Sequence, residues 1–466
     1  MTVERERINA RLYATLSSEY LAAFPGTASH QERAERSLIK GGSHSLRLFD
    51  PAPLRIRRAT GATVEDVDGN TILDFWQGHY ANILGHNPPL LTGALSAGLG
   101  EGIGLQTGIV DTIEIEYAEL LLSLTGLERL RFTTSGALAN LYAVMLSRAY
   151  TGRDITLKVG GGWQGAHPFA LKGVSFRDGY DHPETEGLSE DVMKRVLLAR
   201  YNDPEDLRAV FEKLGDRIAC FIVEPWLGMG GFIPADPEYL TAARALTERY
   251  GAMLIFDEII SGFRFCAGGV ARLYGIKPDL TTFAKIAGGG LPLAVVAGRA
   301  DLLALCHPDS PRRVKFDGGT FSAHPAALLA GRTLVSWLAE HESEVYPRLG
   351  ELGQKMRRGV EEAFAAEGVF VRCTGYGNRI APHSSVAMVN FPYDETCALN
   401  RPDQVWNPAV CDVERRERLL KLALLLERVH VMHGLGTLST AHTEADLDWL
   451  FDACRAAARR LKETPR

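Results

Sequence analysis

The stretch LIFDEIISGFRF at residues 254–265, followed by YGIKPDLTTFAKIAGGG at residues 274–290, indicates an α/β fold. The first stretch begins with a continuously apolar run, which is typical of a strand buried on both faces of a parallel sheet. That run ends at Asp257, and the β-like run in the second stretch ends just before Lys285. Because their separation suits one strand–helix–strand unit, we expect Asp257 and Lys285 to meet at one edge of the sheet.

Other segments extend this pattern. Residues 218–223 form another apolar run, which ends at Glu224 as the later run ends at Asp257. Such runs alternate with longer helical patterns from about residue 110 to residue 330, which predicts a mostly parallel sheet with helices on both faces. Ligands of open α/β sheets bind at the carboxyl ends of the strands, so the two acids mark the predicted site. For either acid alone, ordinary strand termination is an equally good explanation.

The chain is long enough for more than one domain. Residues 61–74 predict a hairpin around an Asp-Gly-Asn turn, within a small antiparallel sheet. After about residue 330, long amphipathic helices and a few strands follow. We expect an N-terminal helix and small-sheet segment at residues 1–75 that belongs to the small domain, a large domain at 76–330, and a C-terminal small domain at 331–466.

Composition excludes several kinds of partner. The 466 residues carry 51 basic and 57 acidic side chains, for a net charge of −6, so no broad cationic surface for nucleic acid or membrane lipid is expected. No apolar run approaches the roughly 20 residues that span a bilayer. The seven cysteines form no C-x-x-C pair and the 13 histidines no H-E-x-x-H motif, so we expect neither disulfides nor a metal site. The N-terminal residues lack the pattern of a signal peptide, and we expect a cytoplasmic protein.

Lys285 and Asp257 suggest a specific chemistry. Lys285 lies where a β-like run meets a glycine-rich turn, and apolar surroundings favour the neutral amine that attacks an aldehyde to form a Schiff base. Considered alone, a surface lysine is the commoner explanation. A buried carboxylate such as Asp257 would hold the proton on the pyridine nitrogen of pyridoxal 5′-phosphate (PLP). The pair therefore points to a PLP enzyme.

Three further features suit this cofactor. The segment TTSGA at residues 133–137 opens a helical pattern, and the first amides of a helix bind phosphate. Ser135 alone is more simply explained as the helix N-cap. Trp163 lies in a glycine-rich loop, where its ring can cover the pyridine face or simply pack. Thr320 can donate its hydroxyl to phosphate or only shape a turn. A nucleotide-binding oxidoreductase is disfavoured, because no G-x-G-x-x-G joins a strand to a helix in the first strand–helix–strand unit.

Together these motifs resemble class III (ω-type) aminotransferases of PLP fold type I, especially the branch with glutamate-1-semialdehyde 2,1-aminomutase and β-amino-acid transaminases. The resemblance runs from about residue 35 to residue 450, and it is strongest in the two stretches quoted first. DVDGNTILDF, YTGRDITLK, IVEP and GGTFSAHP are further matches. The resemblance implies a large domain with a mostly parallel sheet of the seven-stranded type flanked by helices, plus a smaller α+β domain.

The resemblance also implies a role for each site residue. Lys285 would form the Schiff base, Asp257 would pair with the pyridine nitrogen, and Trp163 and Ile259 would cover the two faces of the ring. The other implied cofactor contacts are Ser135, Gly136 and Ala137 at the phosphate, Thr320 from a second subunit, and Glu224 and Asn202 at the cofactor's oxygen side. A homodimer is therefore implied.

Departures from the family concern both the surroundings of the cofactor and the substrate pocket. Relatives carry S-G-T-E-A where this chain has SGALA at 135–139, and Tyr-His-Gly or Phe-His-Gly where it has WQG at 163–165. The segment GGSHSLR at 41–47 replaces an N-S-P-V-R-type stretch, and VMHG at 431–434 lies near the place of an arginine that grips the substrate carboxylate. The candidates for substrate binding are therefore His44, Arg47 and His433.

The predicted function is transfer of an amino group from an amino acid or amine donor to a keto acid, with small molecules as the partners. The alternative is an intramolecular aminomutase of the glutamate-1-semialdehyde 2,1-aminomutase type, which uses the same parts. A non-catalytic relative that only binds PLP or a partner protein is a third hypothesis, motivated by the altered residues at 137–138 and 164. It is disfavoured because Lys285 and Asp257 are both present.

Overall fold

The computed structural model describes residues 2–175 and 181–462. Strands are numbered in chain order. They are β1 (Ile56–Thr60), β2 (Thr63–Asp66), β3 (Thr71–Asp74), β4 (Arg129–Thr133), β5 (Ile155–Val159), β6 (Val196–Ala199), β7 (Ile218–Val223), β8 (Trp226–Leu227), β9 (Ile233–Pro234), β10 (Met253–Asp257), β11 (Leu280–Phe283), β12 (Ala294–Gly298), β13 (Arg372–Thr374), β14 (Val386–Asn390), β15 (Val429–His430) and β16 (Gly436–Thr437).

The α-helices are numbered in the same way. They are α1 (Thr2–Ala23), α2 (Pro25–Glu35), α3 (Gln77–Tyr80), α4 (Pro89–Gly100), α5 (Thr112–Thr125), α6 (Gly136–Thr151), α7 (Glu190–Lys194), α8 (Pro204–Leu214), α9 (Pro237–Tyr250), α10 (Val270–Tyr274), α11 (Ala300–Leu303), α12 (Pro325–Glu340), α13 (Glu342–Ala366), α14 (Pro402–Val405), α15 (Lys421–Leu426) and α16 (Glu444–Leu461). A π-helical turn, Arg415–Leu420, leads directly into α15. None of the described helices is both long and apolar enough to cross a bilayer. The cytoplasmic location stays a prediction.

A seven-stranded sheet forms the centre of the molecule, in the order β4-β12-β11-β10-β7-β5-β6. Five of its strands run parallel to their neighbours along β11-β10-β7-β5-β6. Strand β12 is antiparallel to both β11 and β4. The mostly parallel α/β sheet flanked by helices, expected for PLP fold type I, is therefore confirmed.

The central strands are buried on both faces, as their continuously apolar sequences predict. Successive side chains of a strand point to opposite faces, so Ile222 and Ile255 pack with α6 whereas Phe221 and Leu254 pack with α8 and α9. The run predicted at 218–223 is β7. The apolar run that was predicted to end at Asp257 is β10, which begins at Met253.

Three smaller sheets accompany the central one in the described part of the chain. The hairpin predicted at 61–74 is present, with β2 and β3 paired antiparallel. Strand β3 also pairs in parallel with β15, so the N-terminal segment lies beside the C-terminal part of the chain. Strands β13, β14 and β16 form the second small sheet, and β8 and β9 form the third. The domain boundaries at residues 75 and 330 stay a prediction.

Candidate active site

Asp257 and Lys285 lie at the same edge of the central sheet. Strands β10 and β11 are parallel neighbours, and Asp257 at the end of β10 stands opposite Thr282 of β11. Lys285 follows β11 directly, so the one strand–helix–strand excursion brings both residues to a shared cavity of about 490 Å³. The predicted site residues that line this cavity are His44, Arg47, Ser135, Gly136, Ala137, Trp163, Glu224, Asp257, Ile259 and Lys285.

Asp257 is a buried carboxylate with a fixed orientation. Its Oδ2 accepts a hydrogen bond from Asn140 Nδ2 at 2.7 Å, and its Oδ1 accepts one from the backbone N–H of Ile259 at 3.1 Å. Asn140 is itself held in place, because its Oδ1 accepts the Thr282 hydroxyl at 2.7 Å and its Nδ2 also donates to the Gln164 carbonyl at 2.9 Å. Burial raises the pKa of Asp257 to about 6, against the effect of these hydrogen bonds. A cation brought to Asp257 would favour its ionised form.

Lys285 begins a tight turn, Lys285–Gly288, that follows β11. Its φ of 52° is left-handed, a conformation that costs a non-glycine residue energy and that often accompanies function. Gly289 also has a positive φ, and a side chain there would collide with the backbone of Ala330 on α12. Burial lowers the pKa of Lys285, opposed by the negative charges of Asp257 and Glu224. The lowered pKa favours the neutral amine that can attack an aldehyde.

Glu224 is hydrogen-bonded to the loop that carries Trp163. Its Oε1 accepts from the backbone N–H of Trp163 at 2.9 Å and from Gln164 Nε2 at 3.0 Å, and its Oε2 accepts from the N–H of Gly228 at 2.9 Å. Burial and, after it, the nearby charge of Asp257 raise the pKa of Glu224, whereas the N–H groups of Gly228 and Trp163 and the charge of Lys158 lower it. Glu224 thus fixes the position of the loop while it remains close to the Asp257 carboxylate.

The N-terminus of α6 forms an anion cradle at the cavity. Ser135 is the N-cap of this helix, and its Oγ accepts from the N–H of Leu138 at 3.3 Å. The amides of Gly136 and Ala137 belong to the first turn, where N–H groups have no partner within the helix. A Cβ atom at Gly136 would lie 2.3 Å from Cδ1 of Ile259, so a side chain there would displace Ile259. The cradle suits a phosphate group, which binds to such amides and to the positive end of the helix dipole.

Trp163 and Ile259 both line the cavity, from the loop after β5 and from the loop after β10. The Trp163 loop approaches α6 very closely, because Gly165 has a φ of 99° and a side chain there would collide with Ala137. These positions suit contacts to the faces of a planar ring. The cavity therefore contains an amine, a buried carboxylate, two apolar ring contacts and a phosphate cradle, which together suit PLP.

A cluster of basic and aromatic side chains begins at His44 and Arg47, which line the cavity. Arg47 Nε donates to His79 Nε2 at 3.2 Å. The rings of His44 and Trp76 pack against the His79 ring, with centroids 4.8 and 4.4 Å away. Burial lowers the pKa of His79 to about 3, helped by the charges of His44 and Arg47. His79 is therefore neutral near pH 7 and accepts from Arg47, whose side chain is exposed.

Three predicted residues lie outside the cavity. Asn202 donates its amide to the carbonyls of Pro234 and Asn400, both at 3.1 Å, and accepts the N–H of Asp236, so it fastens a turn. Its role on the cofactor's oxygen side stays a prediction. His433 Nδ1 donates to Oε2 of Glu417 at 2.8 Å, and the His433 ring packs against Trp406.

Thr320 is exposed outside this cavity, and its role across a subunit interface stays a prediction. Two residues that contribute to the site were missed from the sequence. Asn140 could have been found, because it lies one helical turn after Gly136 and so shares the face of α6 that meets the cavity. His79 could not, because it lies in a short irregular turn with left-handed backbone angles that no sequence pattern indicated.

The fold and the site together define a PLP-dependent enzyme of fold type I. The chain belongs to the class III aminotransferase family: the sequence model of that family, described as aminotransferase class-III, matches residues 47–385. The predicted family and cofactor are thereby confirmed.

Relatives of two kinds are similar to this chain. A glutamate-1-semialdehyde 2,1-aminomutase from Caldivirga maquilingensis is 36% identical over 357 residues, which cover 76% of this chain and 79% of the relative. The structure of an omega-transaminase from Sphaerobacter thermophilus is 31% identical with a TM-score of 0.84, and the match covers 95% of this chain and 100% of that one. A transaminase solved with PLP bound is 26% identical with a TM-score of 0.82, covering 94% of this chain and 98% of that one.

Proposed function

We propose that the protein is an aminotransferase that moves an amino group from an amino acid or amine donor to a keto acid, with PLP carried on Lys285. One observation supports this most strongly. A lysine of lowered pKa and a buried carboxylate fixed by Asn140 face one cavity from adjacent parallel strands. Neither residue serves the fold in an obvious way, since a buried carboxylate and a strained lysine both cost stability.

PLP stabilises negative charge at the amino-bearing carbon of a substrate when its pyridine nitrogen is protonated. The chain's own residues supply the rest. Asp257 would hold the proton at that nitrogen, and the amides of Gly136 and Ala137 would hold the phosphate beside the Ser135 hydroxyl. Once released from the cofactor, the neutral Lys285 amine would take a proton from the substrate carbon and return it at a second position.

We assign the substrate's carboxylate to Arg47, with His44 beside it. Both side chains are exposed at the cavity, and the hydrogen-bond partner of Arg47 is the neutral ring of His79 rather than a carboxylate. A guanidinium with such a partner keeps its charge available for an anionic group. His433 is not assigned, because it is paired with Glu417 outside the cavity.

We also propose that two copies form the active unit and that Thr320 reaches the phosphate of the neighbouring copy. Support comes from large apolar side chains that are exposed in the single chain. Leu105, Ile109 and Val110 are 79%, 74% and 89% exposed, and Phe321 beside Thr320 is 59% exposed. Burial of these side chains between two copies would remove them from water.

An aminomutase is the second candidate, favoured by the aminomutase relative described above. The two reactions differ in whether the cofactor leaves the first half-reaction as pyridoxamine phosphate. Purified enzyme is incubated with one amino substrate and no keto acceptor, across a panel of α-, β- and ω-amino donors. Stoichiometric pyridoxamine phosphate and keto product support the aminotransferase. Many turnovers of an isomerised amino product would instead establish the aminomutase.

A further inference from the structure

Lys158 is a fully buried lysine in the middle of β5, a strand of the central sheet. Its Nζ donates to the carbonyl of Gly162 and to the carbonyl of Lys172, both at 2.9 Å. Among the described residues, no carboxylate lies within ion-pair distance of this ammonium group. A buried charge without a direct partner is costly, so the groups that compensate it are informative.

The Gly162 carbonyl belongs to the same peptide group as the N–H of Trp163. That N–H donates to Glu224 Oε1 at 2.9 Å. One peptide unit therefore accepts from an ammonium at its oxygen and donates to a carboxylate at its nitrogen. The unit is planar, and its dipole is aligned favourably with both charges. Hydrogen bonds to charged groups of this kind are about twice as strong as neutral ones.

Electrostatics agree with this geometry. Burial lowers the pKa of Lys158, and the negative charge of Glu224 is the largest influence that opposes burial. Lys158 in turn lowers the pKa of Glu224, against burial and the charge of Asp257. Each charge thus stabilises the other across the peptide.

We propose that Lys158 and Glu224 form an ion pair through the Gly162–Trp163 peptide, and that Lys158 is thereby a positioning residue that holds the Trp163 ring against PLP. The nitrogen of Trp163 is part of this peptide. Rotation of the peptide would therefore break the hydrogen bond to Lys158 or the one to Glu224. The proposal rests on the assignment of Trp163 to the cofactor ring and not on the identity of the amino donor.

Lys172 supplies a matched control. It is also a buried lysine, and its Nζ donates to the carbonyls of Met193 and Val196 and pairs with Asp181. Its side chain does not bond the Gly162–Trp163 peptide. If burial of a lysine near this loop only supports the fold, the Lys158→Met and Lys172→Met variants should behave alike.

The test measures PLP binding and thermal unfolding rather than turnover, so it is independent of whether the enzyme proves to be an aminotransferase. Apoenzyme is titrated with PLP, and visible circular dichroism reports the asymmetry around the bound ring. We expect Lys158→Met to raise the Kd for PLP about tenfold and to shrink the dichroic band. Lys172→Met should lower the unfolding temperature yet change the Kd less than about twofold. Equal changes in Kd for the two variants would overturn the proposal.

The double variant Lys158→Met/Glu224→Gln completes a thermodynamic cycle. Removal of Lys158 alone leaves the Glu224 carboxylate buried without its counter-charge, so we expect the double variant to be more stable than Lys158→Met and the effects to be non-additive. This holds even where the single variant fails to fold. A double variant that is no more stable than Lys158→Met would overturn the ion pair. Normal PLP binding by the wild type without any amino transfer would refute only the proposed function.

Discussion

The two sides of the cavity are built in different ways. On the cofactor side, Asp257 ends a strand, Lys285 follows a strand, and the phosphate cradle begins a long helix. On the substrate side, His44, Arg47 and His79 come from short turns before and after the small sheet. The cofactor side is fixed by hydrogen bonds among buried groups, whereas Arg47 and His44 remain exposed.

This difference separates chemistry from specificity. Groups that act on the reacting atoms need positions held within a fraction of an ångström, and strands and helices provide them. Groups that choose the substrate lie on loops, which tolerate change. Substitutions on the cofactor side should therefore abolish activity with every donor, whereas substitutions on the substrate side should change the preference among donors.

The largest effect is expected for Lys285→Ala. Loss of the amine removes both the attachment point for PLP and the group that moves the proton, so turnover should fall by about 10⁴-fold. The visible absorbance band of the attached cofactor should disappear as well. Lys277→Ala, at an exposed lysine paired with Glu128, is the control and should leave both properties unchanged. Persistence of the band or of turnover in Lys285→Ala would refute the assignment.

Asp257→Asn should follow, with a loss of about 10² to 10³-fold in kcat. The substitution keeps the size of the side chain, and its single amide oxygen can keep one of the two hydrogen bonds that the Asp257 oxygens accept from Asn140 and Ile259. It removes the negative charge that would hold the proton on the pyridine nitrogen. Steady-state kinetics with several donors should show the same relative loss for all. A loss confined to one donor would place Asp257 on the substrate side instead.

The cofactor side was largely predictable because its residues are tied to strand ends and a helix start. Asp257 and Lys285 were predicted because apolar runs end beside them, and Ser135 was predicted because a helical pattern begins after it. Asn202 was assigned by resemblance alone, and its side chain satisfies the carbonyls of Pro234 and Asn400. No local pattern records such long-range contacts.

The substrate side was predictable only in part. The segment at 41–47 was recognised as different from its relatives, and two of its residues do line the cavity. The His79 contact to Arg47 depends on a short turn with left-handed backbone angles, which tertiary packing imposes. His433 was predicted to bind the substrate because of its position in the sequence. Its partner Glu417, in the π-helical turn, holds it outside the cavity.

A smaller effect on the cofactor side concerns stability and pH. The pKa of Asp257 is raised from 3.8 to about 6 by burial, so its contribution to apoenzyme stability is present below about pH 3.8 and is lost as the pH rises through 6. Asp257→Asn cannot ionise. Between about pH 3.8 and about pH 6, the urea midpoint of this variant should therefore fall less than that of the wild type. Glu238→Gln, at an exposed position, should follow the wild type; parallel profiles for all three proteins would contradict the raised pKa.

The smallest and most selective effect is expected for Arg47→Ala. Donors that carry a carboxylate should show a KM raised about tenfold, because a charged hydrogen bond is lost, while simple amine donors should be unaffected. Lys40→Ala is the matched control: Lys40 is an exposed cation directly before the 41–47 segment, and it pairs with Asp50. An equal change for both kinds of donor would show that Arg47 supports the shape of the cavity. A selective change would show that this side of the cavity distinguishes substrates by charge while the buried groups opposite act on all of them.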